Sequence, residues 1–294
     1  MNKMKGQDFL LLHGIVIILG FTAILGKLIL LPATGVVFFR TAIAGGILGA
    51  SLWFKPDGVK LSAAEMRQLL GAGLILGIHW ICFFGSAKWA TVAVSLVTFS
   101  TTSFFTSLLS PWMARRPIHR EELFLGIGVV FGVYLVFRFE GHYVEGILAG
   151  LAGAILAAIF SFLNADLTQR FPLRTLTFYQ LIGACLPAGI WWLLTAAAWP
   201  TAQDWGWLGV LGAVCTVGPY VGMAYLLRRI SPFALNMSIN MEPLYGILLA
   251  YFIFGETERM TSGFYIGGLC IAATVFGYPL WLTYKANKKA ITNR

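Results

Sequence analysis

Charge is what this 294-residue chain has least of. Asp, Glu, Lys and Arg together make up 11% of it, under half the roughly 25% of a soluble domain. With 58% hydrophobic residues and a mean hydropathy of +0.79, the chain carries more apolar surface than a soluble core of this size can hide. Cysteine is also scarce: Cys82, Cys185, Cys215 and Cys270 all fall inside apolar runs, without the paired spacing of a redox motif, a metal clip or a disulfide scaffold. Four scattered histidines with no carboxylate at ligand spacing argue against a metal site. The sequence has no P-loop, so ATP hydrolysis on this chain is not expected. It shows no Ser-His-Asp set and no intramembrane carboxylate pair, which lowers the reading as an enzyme. No cofactor is expected.

What is present is apolar length. A helix needs about 20 apolar residues to cross a hydrocarbon core of about 30 Å. Ten runs qualify, near 9–26, 33–54, 69–87, 90–113, 122–138, 145–166, 174–197, 205–227, 233–254 and 262–283. The first lacks a small-residue cleavage site and is read as a retained helix rather than a signal peptide. A formal charge of +9 invites a nucleic-acid reading, but the basic residues follow topology instead. Sixteen of the 21 Lys and Arg residues fall in the two termini and in the connections after the second, fourth, sixth and eighth runs. The positive-inside rule then places both termini in the cytoplasm of a bacterial inner membrane.

Internal similarity organises the ten runs. "GVVFFRTAIAG" around Arg40 aligns with "LTFYQLIGAC" around Gln180 at an offset of 140. The same offset pairs Lys88 with Arg228, His79 with Pro219, Thr102 with Glu242 and Ser103 with Pro243. The expected architecture is an all-α integral membrane protein of ten transmembrane helices, in two five-helix repeats over 1–143 and 144–294. Five being odd, the second repeat enters from the opposite side. Inverted repeats are a mark of secondary transporters working by alternating access.

The paired five-helix repeat, "GFTAILGKLI", "VVFFRTAIAGG" and "MEPLYGILLAYFIFGE" followed by "GFYIGGLCIAA" resemble the EamA family of the drug/metabolite transporter superfamily. The first-half counterpart "TTSFFTSLLSPWMARR" departs from that pattern, lacking the proline at Ser103 and the Gly-Glu pair at Arg115-Arg116. The resemblance implies a monomeric carrier in the lipid bilayer that moves small-molecule cargo, most often amino acids or related metabolites, outward. Protons are a candidate coupling ion, and uniport and exchange stay open. The alternatives are a membrane-embedded lipid-processing enzyme and a solute channel.

Polar residues at mid-membrane mark the candidate site, because each must face protein or water. In the ninth run Asn236 and Asn240 share a helix face, and Pro243 frees the carbonyl of Ile239, so the helix is expected to bend there. Glu242 and Pro243 are read as gate or coupling residues, and Arg40, about 10–12 Å down its span by helical rise, as either a structural clamp or a contact to a substrate carboxylate. His79 and Trp80 sit at the centre of the third run, with Tyr220 opposite Trp80 in the repeat. Phe160 and Asn164 lie four apart in the sixth. The stripe Ser95, Thr98 and Thr102 reads as a packing seam or a cavity wall. Trp191, Trp192, Trp205 and Trp207 read as interfacial, and Lys27 as a side chain reaching the outer surface.

Overall fold

In lipid no water is available to the backbone, so a crossing segment must satisfy its own amide groups, which a helix does. A computed structural model describes residues 6–115, 120–195, 198–239, 241–274 and 277, and among them every long element is helical. The helices are α1 (Gly6–Leu28), α2 (Ala33–Phe54), α3 (Ala63–Trp89), α4 (Val92–Phe99), α5 (Thr102–Met113), α6 (Arg120–Phe139), α7 (Val144–Arg170), α8 (Leu173–Leu194), α9 (Ala202–Gly209), α10 (Gly218–Leu227), α11 (Pro232–Ile239) and α12 (Glu242–Phe254), and then α13 (Ser262–Thr274). A π-helical turn, Val210–Val217, joins α9 to α10.

Among the described residues, seven helical segments are long and apolar enough to cross a bilayer: 7–28, 33–54, 63–89, 92–113, 141–170, 173–194 and 202–227. The remaining predicted spans correspond to α6, to the pair α11 and α12, and to the shorter α13, with residues 278–294 lying outside the described residues. The fourth span is not one unbroken helix. It is interrupted at Ser100–Thr101 between α4 and α5; in the ninth span α11 ends at Ile239 and α12 begins at Glu242, directly after the turn residue Met241.

Starts are written locally. Pro32 and Pro172, both extended, precede α2 and α8; each blocks continuation of the preceding helix and leaves the next free to begin. Ser62 with Glu65 and Thr201 with Asp204 form capping boxes at α3 and α9, satisfying amide donors that a helix start leaves unpaired. Helices then cross at glycine. A Cβ at Gly73 would lie 2.2 Å from the Gln180 carbonyl of α8, and one at Gly212 would lie 3.0 Å from the Arg40 carbonyl of α2. Only a residue without Cβ permits the first of these backbones to approach so closely.

The two ends of the helices are tied differently. At one end Glu258, 2% exposed, accepts from the Val92 and Ala93 amides at the start of α4, both at 3.1 Å, and pairs with Lys27. Lys27 is therefore an anchored partner of a buried carboxylate rather than a side chain reaching for the surface. Close by, Lys88 Nζ donates to the Ile29 carbonyl at 2.6 Å, and Asp204 accepts from the Leu30 amide at 2.8 Å. Glu140 accepts from the amide and hydroxyl of Thr261 at 2.9 and 2.8 Å, holding the start of α13.

At the opposite end Asp57 pairs with Arg174 and accepts from the Thr175 hydroxyl at 2.8 Å. Partial burial raises the Asp57 pKa, but the hydrogen bonds from Thr175 and Arg174 and the Arg174 charge outweigh it and hold the carboxyl below its ordinary value. Arg228 donates to the Thr168 and Phe171 carbonyls at 2.6 and 2.8 Å, and Arg229 pairs with Asp8 at 3.0 Å. Trp191 and Trp205 are exposed, as interfacial residues should be. Trp192 is not: it is buried against Phe38, Phe39 and Trp199, because the cluster occupies the face of α8 that meets α2.

Candidate solute cavity

Inside the bundle lies a cavity of about 70 Å³, room for a handful of waters at roughly 10–15 Å³ each. Of the residues singled out in the sequence, Arg40, His79, Trp80, Phe160, Asn164, Tyr220, Asn236 and Glu242 line it. They arrive from α2, α3, α7, α10, α11 and α12, so Arg40 and Glu242, 202 positions apart in the chain, share one chamber.

Each polar lining group has a definite setting. His79 Nδ1 lies 2.9 Å from the Gly153 carbonyl. A carbonyl only accepts, so Nδ1 carries the hydrogen and a neutral ring leaves Nε2 as an acceptor. The His79 ring also packs on Phe99, centroids 5.4 Å apart. Asn236 donates to the Thr106 hydroxyl at 2.9 Å and accepts from the Ser161 hydroxyl at 3.1 Å, joining α11 to α5 and α7. Asn164 accepts from Gln180 Nε2 of α8 at 2.8 Å. These bonds answer the expectation for amides at mid-span, and they occupy groups that also face the chamber.

Arg40, 1% exposed, is held by neutral partners. Its Nε and Nη2 donate to Thr216 Oγ1 at 3.1 and 2.9 Å, and its guanidinium carbon lies 4.1 Å from the centre of the Trp80 ring. Trp80 in turn meets Tyr220 edge-on, centroids 4.8 Å apart. Glu242 is 2% exposed and lines the same chamber, yet it forms no ion pair within 4 Å with Arg40 among the described residues. A cation at mid-membrane costs about 2.5–3.5 kcal/mol even on the lenient scale, and Glu242 offsets that from within electrostatic reach rather than by direct contact.

Other predicted residues fall elsewhere. Thr98 Oγ1 donates to the Val94 and Ser95 carbonyls and packs so tightly on α7 that a Cβ at Gly150 would lie 1.9 Å from it; Thr102 Oγ1 donates to the Phe99 carbonyl. Both are buried seam residues off the cavity lining. Pro243 is half-buried at the start of α12 and does not line the cavity; Asn240 lies outside the described residues. Thr216, Ser161 and Thr106 carry no signal in the sequence, since hydroxyls in apolar runs are too common to mark a site, and Gln180 stands out there only as the repeat mate of Arg40.

A second, open cleft of about 1310 Å³ lies toward the Asp57–Arg174 end, between α3, α5, α7 and α11. Arg67, Asp166 and Arg170 stand on its polar rim, while Ile75, Phe162 and Leu163 form part of its apolar wall.

Comparison with known proteins places this geometry. The sequence profile of the EamA-like transporter family matches residues 8–138 and 144–279. A protein of Pseudomonas aeruginosa named pseudopaline exporter CntI is 30% identical over 193 residues, covering 64% of this chain. That alignment spans 66% of the relative's own length. An uncharacterized transporter of Archaeoglobus fulgidus is 26% identical over 212 residues, 71% of this chain and 75% of that protein. One crystal structure superposes with a TM-score of 0.67 over 92% of this chain and 98% of the other at 17% identity, a likeness of fold.

Proposed function

This chain belongs to the EamA-like transporter family, and on that premise we propose that it exports small organic metabolites, amino acids or related compounds, across a bacterial inner membrane by alternating access. The observation that carries the reading is the chamber inside the bundle, where Arg40, Glu242, His79 and two amides meet aromatic rings. Polar groups converging in an otherwise apolar pocket are the mark of a small-molecule site. A relative named as an exporter supports the outward direction.

Inverted five-helix repeats over 1–143 and 144–294 supply the mechanism we propose. Four paired features support them at offsets of 139 to 140: Pro32 and Pro172 before α2 and α8; the capping boxes starting at Ser62 and Thr201; Lys88 on the Ile29 carbonyl and Arg228 on the Thr168 carbonyl; and Gly73 and Gly212 against the Gln180 and Arg40 carbonyls. Each pair repeats one local feature in the two halves, and the glycine pair repeats a contact between halves with their roles exchanged, an arrangement suited to trading a closed end for an open one. Both termini are placed in the cytoplasm, the working unit is a monomer, and Glu242 and His79 are the groups able to carry a coupled proton.

Reconstitution tests this. Proteoliposomes preloaded with amino acids or related metabolites should show saturable counterflow of at least one solute. Flux that does not saturate and shows no counterflow would make the protein a channel, and no solute moving faster than in empty vesicles would remove the cargo class.

A further inference from the structure

We propose that Arg40, set face-on to Trp80 by Thr216, is the subsite for a carboxylate of the transported solute, and that the π-helical turn Val210–Val217 builds it. The inference rests on the transporter reading and names the chemistry of its cargo.

Three observations converge. Thr216 Oγ1 donates to the Leu211 carbonyl at 2.6 Å, a return of five residues that belongs to the π register, and π turns concentrate at functional sites. With its hydrogen spent there, the hydroxyl accepts from Arg40 Nε and Nη2. Gly212, one helical turn earlier, lets α2 close in, since a Cβ there would lie 2.9 Å from Ile43 Cβ and 3.0 Å from the Arg40 carbonyl. The turn thus brings a neutral acceptor to one edge of the guanidinium while Trp80 covers a face.

What remains is the Nη1 side, which makes no hydrogen bond among the described residues, on a side chain that lines the chamber. A planar guanidinium with a free edge matches a carboxylate in two parallel bonds. Arg40 is the one Lys or Arg among the described lining residues, and Glu242 shares the wall, so a compact single negative charge fits while a doubly charged phosphate meets repulsion without a second cation. Glu242 within electrostatic reach of Arg40, but unpaired with it, leaves an acceptor for a cationic group on the same solute.

The test is thermal unfolding of the purified full chain with each standard L-amino acid and its carboxamide. At least one acid should raise the melting temperature of the wild type by several degrees while its amide does not. Arg40→Met should lose that response yet melt no lower than the wild type. Thr216→Val should need about tenfold more acid for the same shift, and Thr216→Ser should not. An equal response to acid and amide, a response surviving in Arg40→Met, no response to any acid in the wild type, or a large drop in the melting temperature of Arg40→Met would each overturn the proposal; the last would make Arg40 a structural anchor. Its failure is separable from that of the transporter reading, because counterflow of amines with Arg40→Met unimpaired leaves the carrier standing and removes only the subsite.

Discussion

Two interrupted spans face each other across this molecule, and they are broken by different chemistry. Between α11 and α12 the cause is in the residue type: Pro243 has no amide hydrogen and cannot complete the ladder to Ile239. Between α4 and α5 no proline is present. There Ser100, Thr101 and Thr102 each turn a hydroxyl back onto the carbonyl three residues earlier, at 2.7, 2.6 and 2.6 Å, offering the backbone an alternative to the helix ladder. The turn residues Thr101, before α5, and Met241, before α12, lie 140 positions apart. The lesson is that the position of a break is shared while the means of making it is not. Packing differs as well. The first break sits beside the tight Thr98–Gly150 seam, whereas α12 meets α1 at Gly20 with room for a Cβ at 3.4 Å from Tyr245.

The packing contrast should give the largest effect. Gly150→Ala forces a methyl into Thr98 and should cost about 2 kcal/mol, while Gly20→Ala should stay within about 0.5 kcal/mol; thermal unfolding of the two variants side by side measures the gap. If both are tolerated equally, the seams are alike.

Next comes the proline. Pro243→Ala lets the ladder close and should slow counterflow about tenfold with little change in melting temperature. Ser103→Pro places a proline at the equivalent of Pro243, in the first turn of α5, where its fixed φ suits a helix start. It should leave both stability and transport near the wild-type values. A Ser103→Pro protein that fails to insert would mean the two breaks are not equivalent.

A smaller effect is expected for Thr101→Ala, which removes one of the hydroxyl returns and should cost about 1 kcal/mol while leaving the neighbouring two in place. Hydrogen exchange at residues 100–103 would show slower opening if the helix closes up. Smallest, and remote from both breaks, is Asp57→Asn. Since the folded carboxyl titrates below its ordinary value, its stabilising contribution is present above about pH 4 and is lost as pH falls through the lowered pKa. The variant should therefore melt below the wild type at pH 7 and converge with it in acid; a constant gap down to pH 3 would assign the effect to something other than the charge.

The helical class and the apolar spans were legible. Apolar run length is a one-dimensional signal that the bilayer imposes directly, because an unsatisfied backbone is not tolerated in hydrocarbon. Arg40, His79 and Glu242 stood out for the same reason, each too costly to place at mid-membrane without purpose. Thr98 and Thr102 were ambiguous in the sequence because a hydroxyl that returns to its own backbone and one that faces a cavity look identical there. Trp192 was misplaced because a tryptophan near a span end marks an interface only on the face that meets lipid.

From residue order alone follow the helical class, the family and the polar residues that must be sheltered, since these depend on the cost of each group in an apolar medium. Which of those residues meet, and with what, was settled only by helices crossing at distant points in the chain. Thr216 reaches Arg40 across 176 positions, and it does so because an eight-residue π turn shifts the helix register, a geometry to which propensity and periodicity are blind.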